Sequence, residues 1–205
     1  MKSHKNVDII VLEVIEMYSE YYGIYQTSRN ASWQFLIDNN INKLPVSLGV
    51  VCKNLHYKIL EDSKIHYLQA NQRGISFCKD DIWYIVLQDK LNPPTQRYTL
   101  AHELGHIFLG HITKNGYYGR TFTIDDEQEY QAERFAINIL APACVLWGLD
   151  LHTPEEIAKV CNISMTSAVK RAKRMEELYH RNMFLSHPLE RQVYQQFQSF
   201  IIENR

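Results

Sequence analysis

Cysteine is scarce and unpaired in this chain: Cys52, Cys78, Cys144 and Cys161 stand far apart, with no C-x-x-C spacing among them. That excludes a cysteine zinc ribbon and argues against a disulfide framework. Isolated buried thiols in a reducing compartment are the expectation. Long apolar runs are missing too. No stretch approaches the roughly 20 apolar residues of a membrane span. The N-terminal apolar segment is broken by Asp8, Glu13 and Glu16, unlike a signal peptide. Neither sign of charge dominates: the net charge is -1 over 205 residues. Bulk electrostatics therefore draw the chain to neither nucleic acid nor an anionic membrane. Repeats and low-complexity tracts are also lacking. A cytoplasmic protein with no membrane partner is the expectation.

What is present is concentrated in Thr99-Leu100-Ala101-His102-Glu103-Leu104-Gly105-His106. On a helix, His102 and His106 lie one turn apart on one face, so both imidazoles can reach a single Zn²⁺. Glu103 is rotated about 100° from His102 and borders that face without ligating, the place of a general base toward water. In a chain with this many His and Glu the pattern arises by chance about 3% of the time, so context has to decide. The context agrees. Asn92-Pro93-Pro94-Thr95 is a turn run in which Thr95 can cap a helix. Leu100, Leu104, Ile107 and Phe108 recur at helical spacing, and Gly110 is a stop.

A third ligand is needed. The zincin class H-E-x-x-H-x-x-G-x-x-H does not apply, because Leu109 and Ile112 occupy its last two positions. On a continued helix His111 points about 140° away from His106 and is not read as a ligand. A Glu from a second helix is the alternative. Thr123 to Gln128 reads as a helix start with Asp125 as cap. Ala132, Phe135, Ala136, Ile139 and Leu140 form an apolar face, and Pro142 ends it. Glu129 and Glu133 share one edge of that helix. Glu129 is the expected ligand, and Glu133 the acceptor that fixes the tautomer of a metal-binding imidazole. The plain alternative for both is a solvated acidic face.

Arg97 to His106, followed by Glu129-Tyr130-Gln131-Ala132-Glu133-Arg134-Phe135-Ala136 and Leu140-Ala141-Pro142, resembles the ImmA/IrrE family of metallopeptidases. Leu44-Pro45-Val46 resembles that family's N-terminal signature. The resemblance covers about residues 31–175. Where the family pattern has a second Glu this chain has Gln131, and where it has Asn this chain has Glu133. The resemblance implies a zinc endopeptidase with Glu129 as the ligand carboxylate. It further implies a narrow protein substrate: a helix-turn-helix repressor cut in response to stress or mobile-element induction.

Around this centre the chain reads as α+β. A zincin-like core carries a small three-stranded, mainly antiparallel sheet beside the H-E-x-x-H helix, followed by a helical C-terminal part. Residues 1–30 are expected to be an amphipathic helix (Val7 to Tyr18) and a polar linker (Tyr25 to Asn30). Residues 31–145 are the peptidase-like domain, and 146–205 a helical region packed on it. Strands are expected at His56–Leu60, Gly74–Lys79 and Ile82–Leu87, the last two joined by a turn at Asp80-Asp81. His111 to Phe122 is a loop near the site. Its Tyr118 and Arg120, and His111 itself, are candidates for stabilising an oxyanion or touching substrate; the alternative for each is a rim or packing residue. Thr153 to Leu178 resembles a helix-turn-helix, with Lys170, Arg171, Lys173 and Arg174 on its second helix. A DNA-binding regulator with a structural or vestigial zinc site is thus the alternative function, and a pair of helices packed on the core is the plain one.

Overall fold

The computed structural model describes residues 26–112 and 126–205. In chain order these form α1 (26–38), α2 (Leu48–Asn54), β1 (Lys58–Glu61), α3 (Asp62–Ile65), β2 (Gly74–Lys79), β3 (Ile82–Leu87), α4 (Pro93–Phe108), α5 (Asp126–Leu140), α6 (Ala143–Gly148), α7 (Pro154–Cys161), α8 (Met165–His180), α9 (Pro188–Gln196) and α10 (Gln198–Asn204). This is a mixed α+β chain. The expected helix at Val7 to Tyr18 and the cap Asp125 lie outside the described residues.

The polar stretch read as a linker up to Asn30 is helical from residue 26, so a boundary at residue 30 falls inside α1. Its polarity misleads because Ser28 and Ser32 are fully buried. Ser32 donates its hydroxyl proton to the Arg29 carbonyl at 2.6 Å, within the helix itself.

The sheet has the order β1-β3-β2. β2 pairs with β3 antiparallel, whereas β1 pairs with β3 parallel. The expected mainly antiparallel sheet is therefore mixed. The chain reverses twice between β1 and β3, which restores its direction, and β3 then enters between the other two strands. Burial selects β3 for the centre: Ile85, Val86, Leu87 and Trp83 are all buried, the near-continuous apolar run of a strand covered on both faces. β1, with Lys58 and Glu61 exposed, is left at an edge. The turn at Asp80-Asp81 is as expected. Both residues take positive φ (51° and 59°), the conformation that a two-residue I′ hairpin demands.

Helix α4 begins at Pro93, one residue after its cap. Asn92 Oδ1 accepts the Thr95 N–H at 3.0 Å, so Asn92, not Thr95, is the cap. Pro93 and Pro94 suit the first turn because amide protons there have no helical partner to lose. Arg97 ties this helix to two distant segments, donating to the Val46 carbonyl at 3.0 Å and the Asn162 carbonyl at 3.2 Å. Helices α4 and α5 pack together at Gly105. A Cβ there would lie 3.1 Å from the Ala132 backbone, tighter than side chains ordinarily pack, so glycine favours this close approach.

One apolar core runs from Trp33 in α1, through α4 and α5, to Ile201 in α10. α7 opens with a reciprocal cap between Thr153 and Glu156. Helix α9 starts at Pro188 and meets α10 at the buried Phe197. All four cysteines are free and buried. Burial pushes Cys52 up to about 11 and Cys161 to about 12. Among the described residues no helix is long and apolar enough to cross a membrane.

Candidate metal centre

Close packing of α4 on α5 brings the three expected ligands together. His102 Nε2 lies 3.0 Å from His106 Nε2 and 3.1 Å from Glu129 Oε2, and His106 Nε2 lies 3.5 Å from Glu129 Oε1. Atoms each 2.0–2.1 Å from a tetrahedral zinc lie about 3.3 Å apart. The observed separations straddle that value, so the trio fits a single small cation. Among the described residues this is the one group of His, Cys, Asp and Glu with ligand atoms that converge so. Two imidazoles and a carboxylate are a donor set suited to zinc and to several other first-row metals. His106 is fully buried, while Glu129 is 45% exposed and comes in from the solvent side.

Glu103 is 2% exposed beside this trio. Ser76, buried in β2, donates its hydroxyl proton to Glu103 Oε2 at 2.7 Å. The strand can come that close because residue 74 is glycine. A Cβ at Gly74 would stand 2.6 Å from the Thr99 side chain and 3.2 Å from Glu103. The edge strand β2 therefore orients the Glu103 carboxylate. Neither Ser76 nor Gly74 is marked by any motif, and the alternation of Ile75 and Phe77 would turn those apolar side chains inward, whereas the structure buries Gly74, Ser76 and Cys78.

His111 is where extrapolation along the helix fails. The helix stops at Phe108, and Gly110 takes φ +74°. The Gly110 N–H then donates to the Ile107 carbonyl (3.2 Å) and the His111 N–H to the His106 carbonyl (3.0 Å). This pair of bonds is a Schellman motif, and it folds the chain back on itself. As a result His111 Nδ1 lies 3.0 Å from His106 Nδ1, and His111 Nε2 lies 2.8 Å from Gln131 Oε1. Gln131 in turn donates from Nε2 to Glu127 Oε1 at 2.9 Å. Were His106 Nε2 to hold an ion, one proton arrangement would satisfy the chain. His106 Nδ1–H donates to His111 Nδ1, and His111 Nε2–H donates to Gln131. His111 is thus buried behind His106. Gln131, the departure from the family pattern, is its partner.

Glu133 lines the same cleft as His102, Glu103 and Glu129, but it is not bonded to the imidazole it was expected to fix. His102 Nδ1 is buried with no hydrogen-bond partner among the described residues. The cleft, about 340 Å³, is also lined by Arg73, Gly74 and Tyr98. Burial, and then the Glu133 carboxylate, push the Tyr98 phenol far up, so it stays protonated. Tyr118 and Arg120 lie outside the described residues.

The basic residues of α8 do not form one exposed face. Arg171 is 5% exposed and donates to Asn138 Oδ1 of α5 at 3.3 Å. A guanidinium held there cannot reach a DNA groove, which removes one of the four expected contacts.

A family model described as the IrrE N-terminal-like domain (Peptidase_M78) matches residues 50–173. No curated protein matches the chain.

Proposed function

The chain belongs to the IrrE N-terminal-like family of metallopeptidases, a match that spans more than half of its 205 residues, and from that premise we propose that it is a zinc-dependent endopeptidase acting on a specific regulatory protein, such as a helix-turn-helix repressor, in a reducing cytoplasm. The observation that carries this is the convergence of His102, His106 and Glu129 on one point, with a buried carboxylate held beside it by Ser76. A structural metal site has no need of such a base. When bound, the ion supplies Lewis acidity, which makes water a nucleophile near pH 7 and polarises a peptide carbonyl. Glu103 takes the proton of the attacking water and delivers it to the leaving amine. Ser76 keeps one carboxylate oxygen in place, beside the cleft that Glu103 lines. His111 and Gln131 hold the His106 ring so that its Nε2 points at Glu129.

The regulator alternative is disfavoured by the burial of Arg171, since a DNA-reading helix needs its basic side chains outside. The test is Glu103→Gln. This variant should bind zinc at wild-type stoichiometry yet cut a peptide library about 10²–10⁴-fold more slowly. Undiminished cleavage overturns the mechanism.

A further inference from the structure

Next to the metal cleft lies a second cavity, of about 520 Å³, between α4, α5 and the start of α8. Arg73, Arg134, Lys170, Arg171 and Arg174 line it, against a single lining carboxylate, Glu133. Such a concentration of positive charge is local, because the whole chain carries a net charge of -1. The site is built rather than a chance grouping of surface lysines. Arg171 is held in the interior by Asn138, and the Arg134 guanidinium stacks 4.7 Å from the centre of the Tyr130 ring. Arg174 also pairs with Glu177 at 2.6 Å and contributes less. The first turn of the sixteen-residue helix α8 opens into the cavity through Thr166 and Ser167, adding the positive end of its dipole.

Arg73, Tyr98 and Glu133 line both this cavity and the metal cleft, so the two are continuous. We propose that the basic cavity is a substrate subsite that receives an acidic side chain, Asp or Glu, of the peptide whose backbone lies in the metal cleft. This rests on the peptidase reading and adds to it the class of substrate: a segment with acidic residues close to the scissile bond. A peptide strand can thread from one cavity into the other and turn a carboxylate onto Arg134 and Lys170, which form charge-assisted bonds with it. A nucleic-acid duplex is too wide to place its phosphates against a buried Arg171.

The experiment uses the full zinc-loaded chain as Glu103→Gln, so that cleavage is slow on the time of the measurement, and two fluorescein-labelled decapeptides, one alternating Ala and Glu, the other Ala and Gln. Fluorescence anisotropy should show the Glu peptide binding at least about tenfold more tightly, a margin that one charge-assisted contact supplies. The preference should disappear in a further variant carrying Arg134→Ala and Lys170→Ala, both partly exposed residues whose truncation leaves the core intact. Equal binding of the two peptides overturns the proposal. So does an acidic preference that survives the double substitution, or a 20-base-pair duplex that outcompetes the Glu peptide. None of these readings depends on cleavage, so failure of the subsite is distinguishable from failure of the peptidase mechanism, which is read separately as cleavage by the wild-type chain.

Discussion

Helices α4 and α8 are the same length, sixteen residues each, and each carries several titratable or charged side chains. In α4 those side chains face inward. Glu103 and His106 are buried, and each meets a partner from another element, Ser76 from β2 and His111 from the turn after the helix. In α8 they point in different directions. Arg171 is buried, Lys170 and Arg174 line a cavity, and Lys173 lies on another side, beside His152 and Tyr179. The difference is one of neighbours. A titratable group works chemically when its surroundings fix its geometry, and α4 supplies that fixing at Glu103 and His106.

Substitutions can break the contrast, and the largest effect is expected where α4 meets α5. Gly105→Val adds atoms where even a Cβ would sit 3.1 Å from the Ala132 backbone. Thermal unfolding should show a loss of about 3 kcal/mol, and zinc affinity should fall with it, because Glu129 moves away with α5. Wild-type stability in this variant would mean that the helices are not locked at this point.

Next comes His111→Ala, which removes the acceptor behind His106. Chelator competition should show zinc bound about 10–100-fold more weakly, and the Co²⁺-loaded protein should show an altered visible spectrum. Unchanged affinity and spectrum would make His111 a packing residue only. A smaller change is expected from Ser76→Ala: kcat lower by about tenfold, KM and zinc affinity unaltered, since only one hydrogen bond to the base is lost. An equal rise in KM would instead place Ser76 in substrate binding. The smallest effect is expected on α8, from Lys173→Ala. It should leave stability within about 0.5 kcal/mol and leave the acidic-peptide preference untouched, unlike Lys170→Ala on the same helix. If Lys173→Ala weakened that preference as much as Lys170→Ala, the charges of α8 would be acting as one face.

How much of this could be read from the residues follows the same division. His102, Glu103 and His106 are legible because their relation is set within one helical turn. Glu129 is legible because a second helix with an acidic edge follows within reach. The strand Ile82–Leu87 and its turn at Asp80-Asp81 are equally local features. By contrast, the parallel pairing of β1 with β3 could not be read, because strand order depends on which strand buries the most apolar surface among its neighbours. His111 is read as no ligand and lies outside the converging trio; what the residues could not show is that the αL turn at Gly110 folds its ring back against His106. The polar residues of α1 looked like a linker because composition does not tell which side chains face inward.

By itself the amino-acid sequence determined the His102–His106 spacing of α4, the position of Glu103 beside it and the hairpin, since each depends on interactions between residues a few positions apart. Only the tertiary structure decided which oxygen holds Glu103, which ring stands behind His106, and where the cations of α8 point. Those relations join residues as far apart as Ser76 and Glu103, or Asn138 and Arg171, and they exist only once Gly74 and Gly105 have let the elements close on one another.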